Sequence, residues 1–510
     1  MNTPKARKFL FTELQEGVRP HHLLSFYFAA LITIGLAVLI SVLQPFLLEA
    51  FLQIPRSEQG TVTGNAAVVA EIVILCLIGI WGAASDKVGR RLVYALGIAV
   101  VALAAALHPF VSEAAHLYML RGLYAVGMAA ATGMLATLAG DYVVKRDLGK
   151  ANGLMGVCNA IGAALAATIL VKLPVRLRDT YVASGMDAGE AATAAGWRTY
   201  LVVGGLALVC AVLLRLGLAP RDTAQTIERI PFSTRLKEGL AAGRRDRVTA
   251  LSYVTAFVAR ADLAIAGLFI PLWCALYVQK NPSVILGASN YKCVDGSTGP
   301  CVDATGSTCT PGTEGCLLAE GAAEAAACMA DGLCLSLAGM ERAGLLIAMV
   351  GVGSLWAAPF IGILCDKISR VSAVAVGLGL NVVGYGLTFF VTDPFSTTML
   401  FVAMTIGAGE VAGVISTQSL IQQQAPARSR GAVIGFFGFC GGLGILVNSF
   451  IGGKLFDAVA FNAPFVWLAG LNFLVVIACV VVRRGSTSEQ DGELLSDDGP
   501  SADPRRSAAA

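Results

Sequence analysis

Long apolar segments recur along the chain and alternate with shorter polar connections. A helix needs about 20 mostly apolar residues to cross the hydrocarbon core of a bilayer. Twelve segments meet this length: 23–52, 62–84, 92–110, 115–139, 150–173, 196–217, 249–279, 339–364, 371–391, 396–423, 429–453 and 463–482. The pattern predicts an all-α membrane protein with twelve transmembrane helices, numbered here as spans one to twelve.

A charged stretch divides these spans into two sets of six. The predicted domains are an N-terminal half at 1–217, a cytoplasmic linker at 218–248 and a C-terminal half at 249–482. The C-terminal half carries an external insertion at 281–337. The tail, 483–510, combines acidic residues with Ser, Gly and Pro, and such a composition favours disorder.

Composition supports the membrane assignment and excludes other classes. Hydrophobic residues make up 56% of the chain and charged residues 14%, against roughly 25% charged in ordinary soluble proteins. The net charge of +3 is too small to indicate a nucleic-acid partner. The chain has no phosphate-binding loop and no H-E-x-x-H metal motif. We therefore expect no enzyme activity, no cofactor and no metal site.

Lys and Arg are distributed unevenly between the two sides of the predicted spans. With the N-terminus in the cytoplasm, 26 of the 37 fall on the cytoplasmic side, nine fall outside and two lie within spans. Cytoplasmic loops are enriched in these residues. The distribution predicts a multi-pass protein of the cytoplasmic (inner) membrane with both termini inside, which requires an even number of spans.

Six cysteines lie in the one long polar loop, which the Lys and Arg distribution places outside. Disulfides persist in such an oxidising compartment. We predict that most of these six are paired, with a zinc site as the alternative: Cys293, Cys301, Cys309, Cys316, Cys328 and Cys334.

One short motif occurs twice. Segment 82–91, after span two, reads GAASDKVGRR, and segment 362–370, after span eight, reads GILCDKISR. Gly, Asp, Lys and Arg recur at the same spacing, 280 residues apart. The two halves therefore look like duplicates, an arrangement typical of transporters that bind their solute between the halves.

The first copy, G-x-x-x-D-x-x-G-R-R, resembles the signature of the major facilitator superfamily. The resemblance implies two pseudo-symmetric bundles that rock around a cavity lined by spans one, four, seven and ten. Asp86 ends span two where it can meet the positive N-terminal end of a neighbouring helix, so we expect it to latch the cytoplasmic side shut in the outward-open state; charges that merely stop the helix are the alternative. The predicted gating residues are Gly82, Asp86, Gly89, Arg90, Arg91, Asp366 and Arg370.

A second family element is partial. Span four contains Arg121-Gly-Leu-Tyr-Ala125-Val-Gly127, which resembles the R-x-x-x-G-x-G pattern associated with proton coupling. Ala125 replaces the first Gly of that pattern.

Five ionisable residues lie well inside predicted spans, away from the span ends, where such groups are costly and default to functional hypotheses. They are Glu71, Arg121, Arg260, Asp262 and Glu410. We expect Glu410 to carry a coupling proton, with Arg260 as its switchable partner or as a clamp for an anionic solute. Static ion pairs between helices are the alternative. Gln44 and Tyr124 are candidate solute contacts.

The sequence predicts a secondary transporter that moves a small polar or ionic solute by alternating access, coupled to protons. Its expected partners are that solute, protons and membrane lipids, and we expect a monomer. Efflux of lipophilic compounds is an alternative within transport. A receptor or assembly protein that acts through the Cys-rich loop is an alternative of another class.

Overall fold

The structure is a computed structural model and describes residues 8–9, 12–144, 147–220, 232–281, 332–424 and 430–496. Within these ranges, twelve helical segments are long and apolar enough to cross a membrane. This confirms the predicted number of spans and the all-α membrane fold.

The first six spans form the N-terminal half. Span one is broken at Leu43 into two helices, Pro20–Val42 and Gln44–Ala50. The remaining spans of this half are Gln59–Val88, Arg90–Leu107, Ala114–Tyr142, Leu148–Thr168 and Ala188–Gly217.

Spans seven to twelve form the C-terminal half. They are Arg247–Lys280, Gly332–Lys367, Arg370–Leu387, Thr397–Gln424, Arg430–Ala458 and Ala463–Ser496. Span seven contains Pro271 and span eight contains Pro359.

Three local elements differ from the sequence prediction. Span six begins at Ala188, where Asp187 accepts a bond from the Gly189 N–H, and not near residue 196. A separate helix, Leu173–Ala183, fills part of the connection before it. Span twelve continues to Ser496 although the tail was predicted to be disordered from residue 483; the first proline beyond the span is Pro500.

Two short elements, a hairpin before span one and a helix in the linker, lie at one end of the bundle. The strands Lys8–Phe9 and Thr12–Glu13 form an antiparallel hairpin, which the sequence did not predict. The linker contains the helix Phe232–Arg245. In this helix the Gly239 carbonyl accepts a 2.8 Å bond from the Tyr253 hydroxyl of span seven. We call this end of the bundle the linker end.

Asp246 begins span seven and caps its N-terminus. Its carboxylate accepts bonds from the Val248 and Thr249 N–H groups. Burial alone would raise the pKa of the Asp246 carboxyl, but the hydrogen bonds from Thr249 and Val248 outweigh it and lower that pKa below its usual range.

The structure repeats itself as the motif does. Spans three and nine each end in a 3₁₀ turn, His108–Phe110 and Thr388–Phe390, which lie 280 residues apart. Each of these spans packs against the next span of its own half, span four or span ten. The internal duplication seen in the sequence is therefore also a structural one.

The two halves touch along two pairs of spans, two with eleven and five with eight. At the end opposite the linker, Asp457 accepts bonds from the Gly60 and Thr61 N–H groups at 2.8 and 2.6 Å. A Cβ added to Gly344 in span eight would collide with the Ala167 carbonyl oxygen of span five. The opposite end is therefore closed by close backbone contact between the halves.

The linker end of the same four spans is open. A Cβ added to Gly82 in span two or Gly362 in span eight would meet no heavy atom of the described residues within 4 Å. The same holds for Gly156 in span five and Gly438 in span eleven. At the linker end these four glycines therefore have no close contact with a described residue, in contrast to Gly344 at the opposite end.

Candidate functional site

A fully buried polar cluster lies inside the C-terminal half. Its centre is Asp262 of span seven, which is 0% exposed. Asn381 of span nine donates to Asp262 Oδ2 at 2.8 Å. Asn472 of span twelve donates to Oδ1 at 2.9 Å and to Oδ2 at 3.1 Å. Both carboxylate oxygens of Asp262 are thus satisfied by amide N–H donors from two other helices.

Tyr385 links this centre to Glu410. The Tyr385 hydroxyl lies 2.8 Å from the Asp262 main-chain carbonyl oxygen and 2.8 Å from Glu410 Oε1. Tyr385 is 0% and Glu410 3% exposed. A phenol has one proton to donate, so it cannot fill both acceptors. Glu410 is therefore placed where a proton of its own would complete the chain of hydrogen bonds.

Small residues permit this arrangement. A Cβ added to Gly409 of span ten would collide with Asn381 Oδ1, and one added to Gly413 would lie 3.2 Å from Asn381 Nδ2. The glycines that flank Glu410 in the sequence thus allow span nine to approach span ten closely beside the cluster.

Arg260 is not paired with Glu410 in this conformation, and its predicted role as a switchable partner or an anion clamp stays a prediction. The described residues contain no ion pair between Arg260 and Glu410; the structure bonds Glu410 to Tyr385 instead. Arg260 interacts electrostatically with Glu71 of span two. A Cβ on Gly441 of span eleven would lie 2.7 Å from Arg260 Cγ, and one on Gly442 would lie 2.7 Å from Glu71 Oε1. Arg260 and Glu71 therefore face the same boundary between the halves, next to span eleven, without forming an ion pair in the described structure.

The difference has a simple cause. Arg260 and Asp262 are two residues apart on one helix, so their side chains project in different directions. Asp262 points into its own half, where it is 0% exposed. Arg260 is consequently directed to the boundary and remains exposed. Arg260 and Glu410 lie at a similar depth in the membrane, but similar depth does not decide which face of span seven carries Arg260.

The N-terminal half holds a buried cation. Arg121 of span four is 6% exposed and interacts electrostatically with Tyr124 and Tyr200. His108, at the end of span three, stacks on Tyr200 with ring centroids 5.1 Å apart. Within the described ranges no carboxylate forms an ion pair with Arg121.

The predicted gating residues occupy the linker end. Gly89 has φ of 93°, which favours glycine, and joins spans two and three. Arg90 forms an ion pair with Asp141 and donates to the Thr137 carbonyl at 3.2 Å. Arg91 donates to the Arg215 carbonyl oxygen.

The second copy of the motif is less connected. Arg370 begins span nine, and its buried Nε has no partner among the described atoms. The side chains of Asp86 and Asp366 lie outside the described residues, so the predicted latch remains a prediction.

The structure describes the predicted solute contacts but not the cysteines of the long loop. Gln44 donates to Thr63 Oγ1 at 2.8 Å, within the N-terminal half, and Tyr124 lies one helical turn from Arg121. Cys293, Cys301, Cys309, Cys316 and Cys328 lie outside the described residues, as does the side chain of Cys334. The disulfide prediction and its zinc alternative are therefore not tested.

A family model described as Major Facilitator Superfamily matches residues 25–289 and 323–502. The chain belongs to this superfamily. The resemblance drawn from the repeated motif is thereby confirmed. The chain is a multi-pass membrane protein of a secondary-transporter family and not an enzyme.

Individual proteins give a finer comparison. "Magnetosome protein MamH" of Paramagnetospirillum magneticum is 24% identical over 497 residues, which cover 95% of this chain and 96% of the relative. "Staphyloferrin B transporter" of Staphylococcus aureus is 32% identical over 135 residues, covering 26% of this chain and 31% of the relative. The crystal structure of a D323A mutant of nucleoside transporter NupG matches with a TM-score of 0.64 at 13% identity, covering 90% of this chain and 99% of that one.

Proposed function

We propose that this protein is a proton-coupled secondary carrier for a small polar or ionic solute, and that Glu410 holds the coupling proton. The superfamily supplies the alternating-access frame. The named transport of staphyloferrin B by one relative supports a small-molecule solute. The linker end, rich in Lys and Arg, faces the cytoplasm in this proposal.

The position of the Tyr385 hydroxyl between two acceptors carries the proposal. If Glu410 is protonated, its O–H donates to the Tyr385 oxygen, and the Tyr385 O–H donates to the Asp262 carbonyl. Every polar atom along this path then has a partner. If Glu410 is ionised, the Tyr385 O–H donates to Glu410 Oε1, because the Asp262 carbonyl already accepts the helical bond from the Ala266 N–H. A buried carboxylate then has a single hydrogen-bond donor, which is unfavourable.

Asp262 differs from Glu410 in its donors. Three N–H contacts from two amides reach the Asp262 oxygens, and ionised carboxylates are pure acceptors that such donors satisfy. Glu410 receives only the Tyr385 hydroxyl. Two buried acids that share one environment avoid simultaneous ionisation. These contacts favour Glu410 as the residue that gains and loses the proton, with Asp262 holding the helices around it.

The proton is occluded in this conformation, because Glu410 is 3% exposed. Rocking of the two halves must alter the packing of span ten for the proton to leave. A cycle in which Glu410 is protonated in one state and released in the other would couple solute movement to the proton gradient.

Infrared spectroscopy tests the proton without knowledge of the solute. Purified protein in detergent should show the carbonyl stretch of a protonated, buried carboxylic acid at neutral pH. Glu410→Gln should remove that band, and Tyr385→Phe should move it to higher frequency because the acid loses a hydrogen-bond partner. Glu190→Gln, at an exposed site, is the matched control and should leave the band unchanged.

Transport supplies the second readout. In proteoliposomes, Glu410→Gln should retain solute counterflow and lose proton-driven accumulation, since glutamine mimics the permanently protonated acid. An unchanged infrared band in Glu410→Gln, or accumulation against a gradient by that variant, would refute the role of Glu410. Absence of counterflow with every solute would instead favour the receptor alternative.

A further inference from the structure

Arg121 is a charged side chain without a counter-charge. Its Nε is sealed from solvent and has no hydrogen-bond partner among the described atoms. Nη1 and Nη2 are not sealed in this way, and no described group bonds to them, so the remaining 6% exposure lies at the tip of the side chain. In the described part of the chain no aromatic ring lies beneath the guanidinium.

A partly buried arginine of this protein shows how a structural arginine is bonded. Arg342 of span eight donates to the carbonyl oxygens of Pro394, Phe395 and Ser396 at 2.8 to 3.2 Å. Arg121 makes no comparable contact. A guanidinium remains charged in any protein environment, and an uncompensated buried charge is unfavourable. The resting protein therefore lacks a group that Arg121 is suited to bind.

A second free donor lies beside it. Tyr124 is three residues further along span four, on the same helix face. Its hydroxyl makes no hydrogen bond within the described ranges and, like the tip of Arg121, is not sealed. A planar guanidinium and a phenol that converge without acceptors match the oxygens of a carboxylate or phosphate group.

Uncharged aromatic side chains lie close to this pair. The Tyr200 hydroxyl lies 3.5 Å from the Leu43 carbonyl oxygen, at the break in span one. His108 stacks on Tyr200, and its Nδ1 lies 2.7 Å from the Ala104 carbonyl oxygen. None of these aromatic residues carries a negative charge that could compensate Arg121.

We infer that Arg121 and Tyr124 bind the oxyanion group, a carboxylate or a phosphate, of the solute that this carrier moves. The inference rests on the proposed carrier function and specifies its substrate class. It also fits the acidic cluster of the other half: an anion held at Arg121 and a proton held at Glu410 cross the membrane with no net charge.

Thermal denaturation in detergent provides the test, with acetate, citrate and inorganic phosphate as probes at constant ionic strength and sodium chloride as the reference salt. At least one oxyanion should raise the Tm of the wild type above the chloride reference. Arg121→Gln should lose that rise, with binding weakened roughly ten- to a hundredfold, the range for a hydrogen bond to a charged group. Tyr124→Phe should weaken it less.

Arg342→Gln is the control, because it removes a partly buried arginine that already has hydrogen-bond partners. It should lower the Tm without probe and keep the response to the oxyanion. Arg121→Gln without probe should be at least as stable as the wild type, since it removes an uncompensated charge. If Arg121→Gln does not fold, Arg121→Lys and Tyr124→Phe carry the same comparison of probe responses.

Three results would overturn the inference: an Arg121→Gln protein that responds like the wild type, a wild type that responds to none of the three probes, or a wild type stabilised only by phosphatidylglycerol, whose headgroup phosphate would then be the ligand. The infrared band of Glu410 keeps this test separate from the proposed function. The band should persist in Arg121→Gln, so a failure of anion binding leaves the proton assignment standing.

Discussion

The two halves share one fold but have opposite charges in their interiors. The N-terminal half buries Arg121 among aromatic neighbours and has its buried acid, Glu71, at the boundary, whereas the C-terminal half buries Asp262 and Glu410 with amide and phenol donors. The acids of the C-terminal half have hydrogen-bond donors inside the protein, although Asn381 Oδ1 and Asn472 Oδ1 have no partner among the described atoms. Arg121 makes no hydrogen bond or ion pair with any described residue. The two halves therefore share their helix arrangement, whereas their buried polar residues differ and can serve separate functions.

Asp262 gives the largest expected effect. Asp262→Ala leaves the Asn381 and Asn472 amides without their acceptor in a buried core, and each buried donor left without a partner costs about 1–3 kcal/mol. The Tm in detergent should fall steeply. Arg121→Gln, the equivalent loss of charge in the other half, should not lower it.

Glu190→Gln serves as the surface control and should change stability by less than about 0.5 kcal/mol. If Asp262→Ala were as stable as the wild type, or Arg121→Gln equally destabilised, the contrast between a satisfied and an unsatisfied interior would be wrong.

Asp457 tests the contact that holds the halves together. Its carboxylate caps the N-terminus of span two across the boundary. Loss of a helix cap costs about 0.5–2 kcal/mol. The cap exists only in conformations that are closed at the end opposite the linker. Asp457→Ala should therefore raise the population that is open at that end by roughly 2- to 30-fold.

Thiol labelling measures this shift. Ser449 is 0% exposed at the contact of spans two and eleven. A Ser449→Cys reporter, with the native cysteines replaced, should react faster with a maleimide when Asp457 is Ala. Asp457→Glu, which retains the carboxylate, is the control. Equal labelling rates in all three backgrounds would show that the cap does not influence the opening.

The sequence was sufficient for the frame of the molecule. Twelve apolar segments and a motif repeated after 280 residues predicted the number of spans, the two halves and the superfamily. Hydropathy and spacing are local properties, so one chain displays them directly. Starting points of helices were less predictable, because the Asp187 cap and the helix Leu173–Ala183 lie in polar sequence.

The polar interior was only half predictable. Costly ionisable residues in the spans identified Asp262, Glu410 and Arg121 as positions of interest. Their partners were missed, since Tyr385 and Asn472 are neutral and occur as often at ordinary helix contacts. The acid that interacts electrostatically with Arg260 is Glu71 of the other half. Which helix faces meet depends on the packing of both halves, and a single sequence contains no direct signal for it. Gly409 beside Glu410 was the available hint, because it lies against Asn381.

A pair of tyrosines gives the smallest effect and the sharpest form of the comparison. Tyr385 and Tyr124 are both almost fully buried. The Tyr385 hydroxyl lies within 2.8 Å of two acceptors, whereas that of Tyr124 has no partner in the described part of the chain. Removal of a hydrogen bond from a buried site costs about 1 kcal/mol. Tyr385→Phe should therefore lower stability by about that amount, and Tyr124→Phe should change it by much less. The two substitutions delete the same atom, so side-chain volume cancels between them. Parallel thermal denaturation of both variants without any added oxyanion measures the difference.

Addition of the oxyanion that stabilises the wild type should reverse which variant is more affected. Tyr124→Phe should lose part of the stabilisation by the oxyanion. Tyr385→Phe should keep it, because the Tyr385 hydroxyl bonds to the proton-carrying Glu410 and not to the solute. Equal losses for the two variants in both conditions would mean that the halves do not divide these roles.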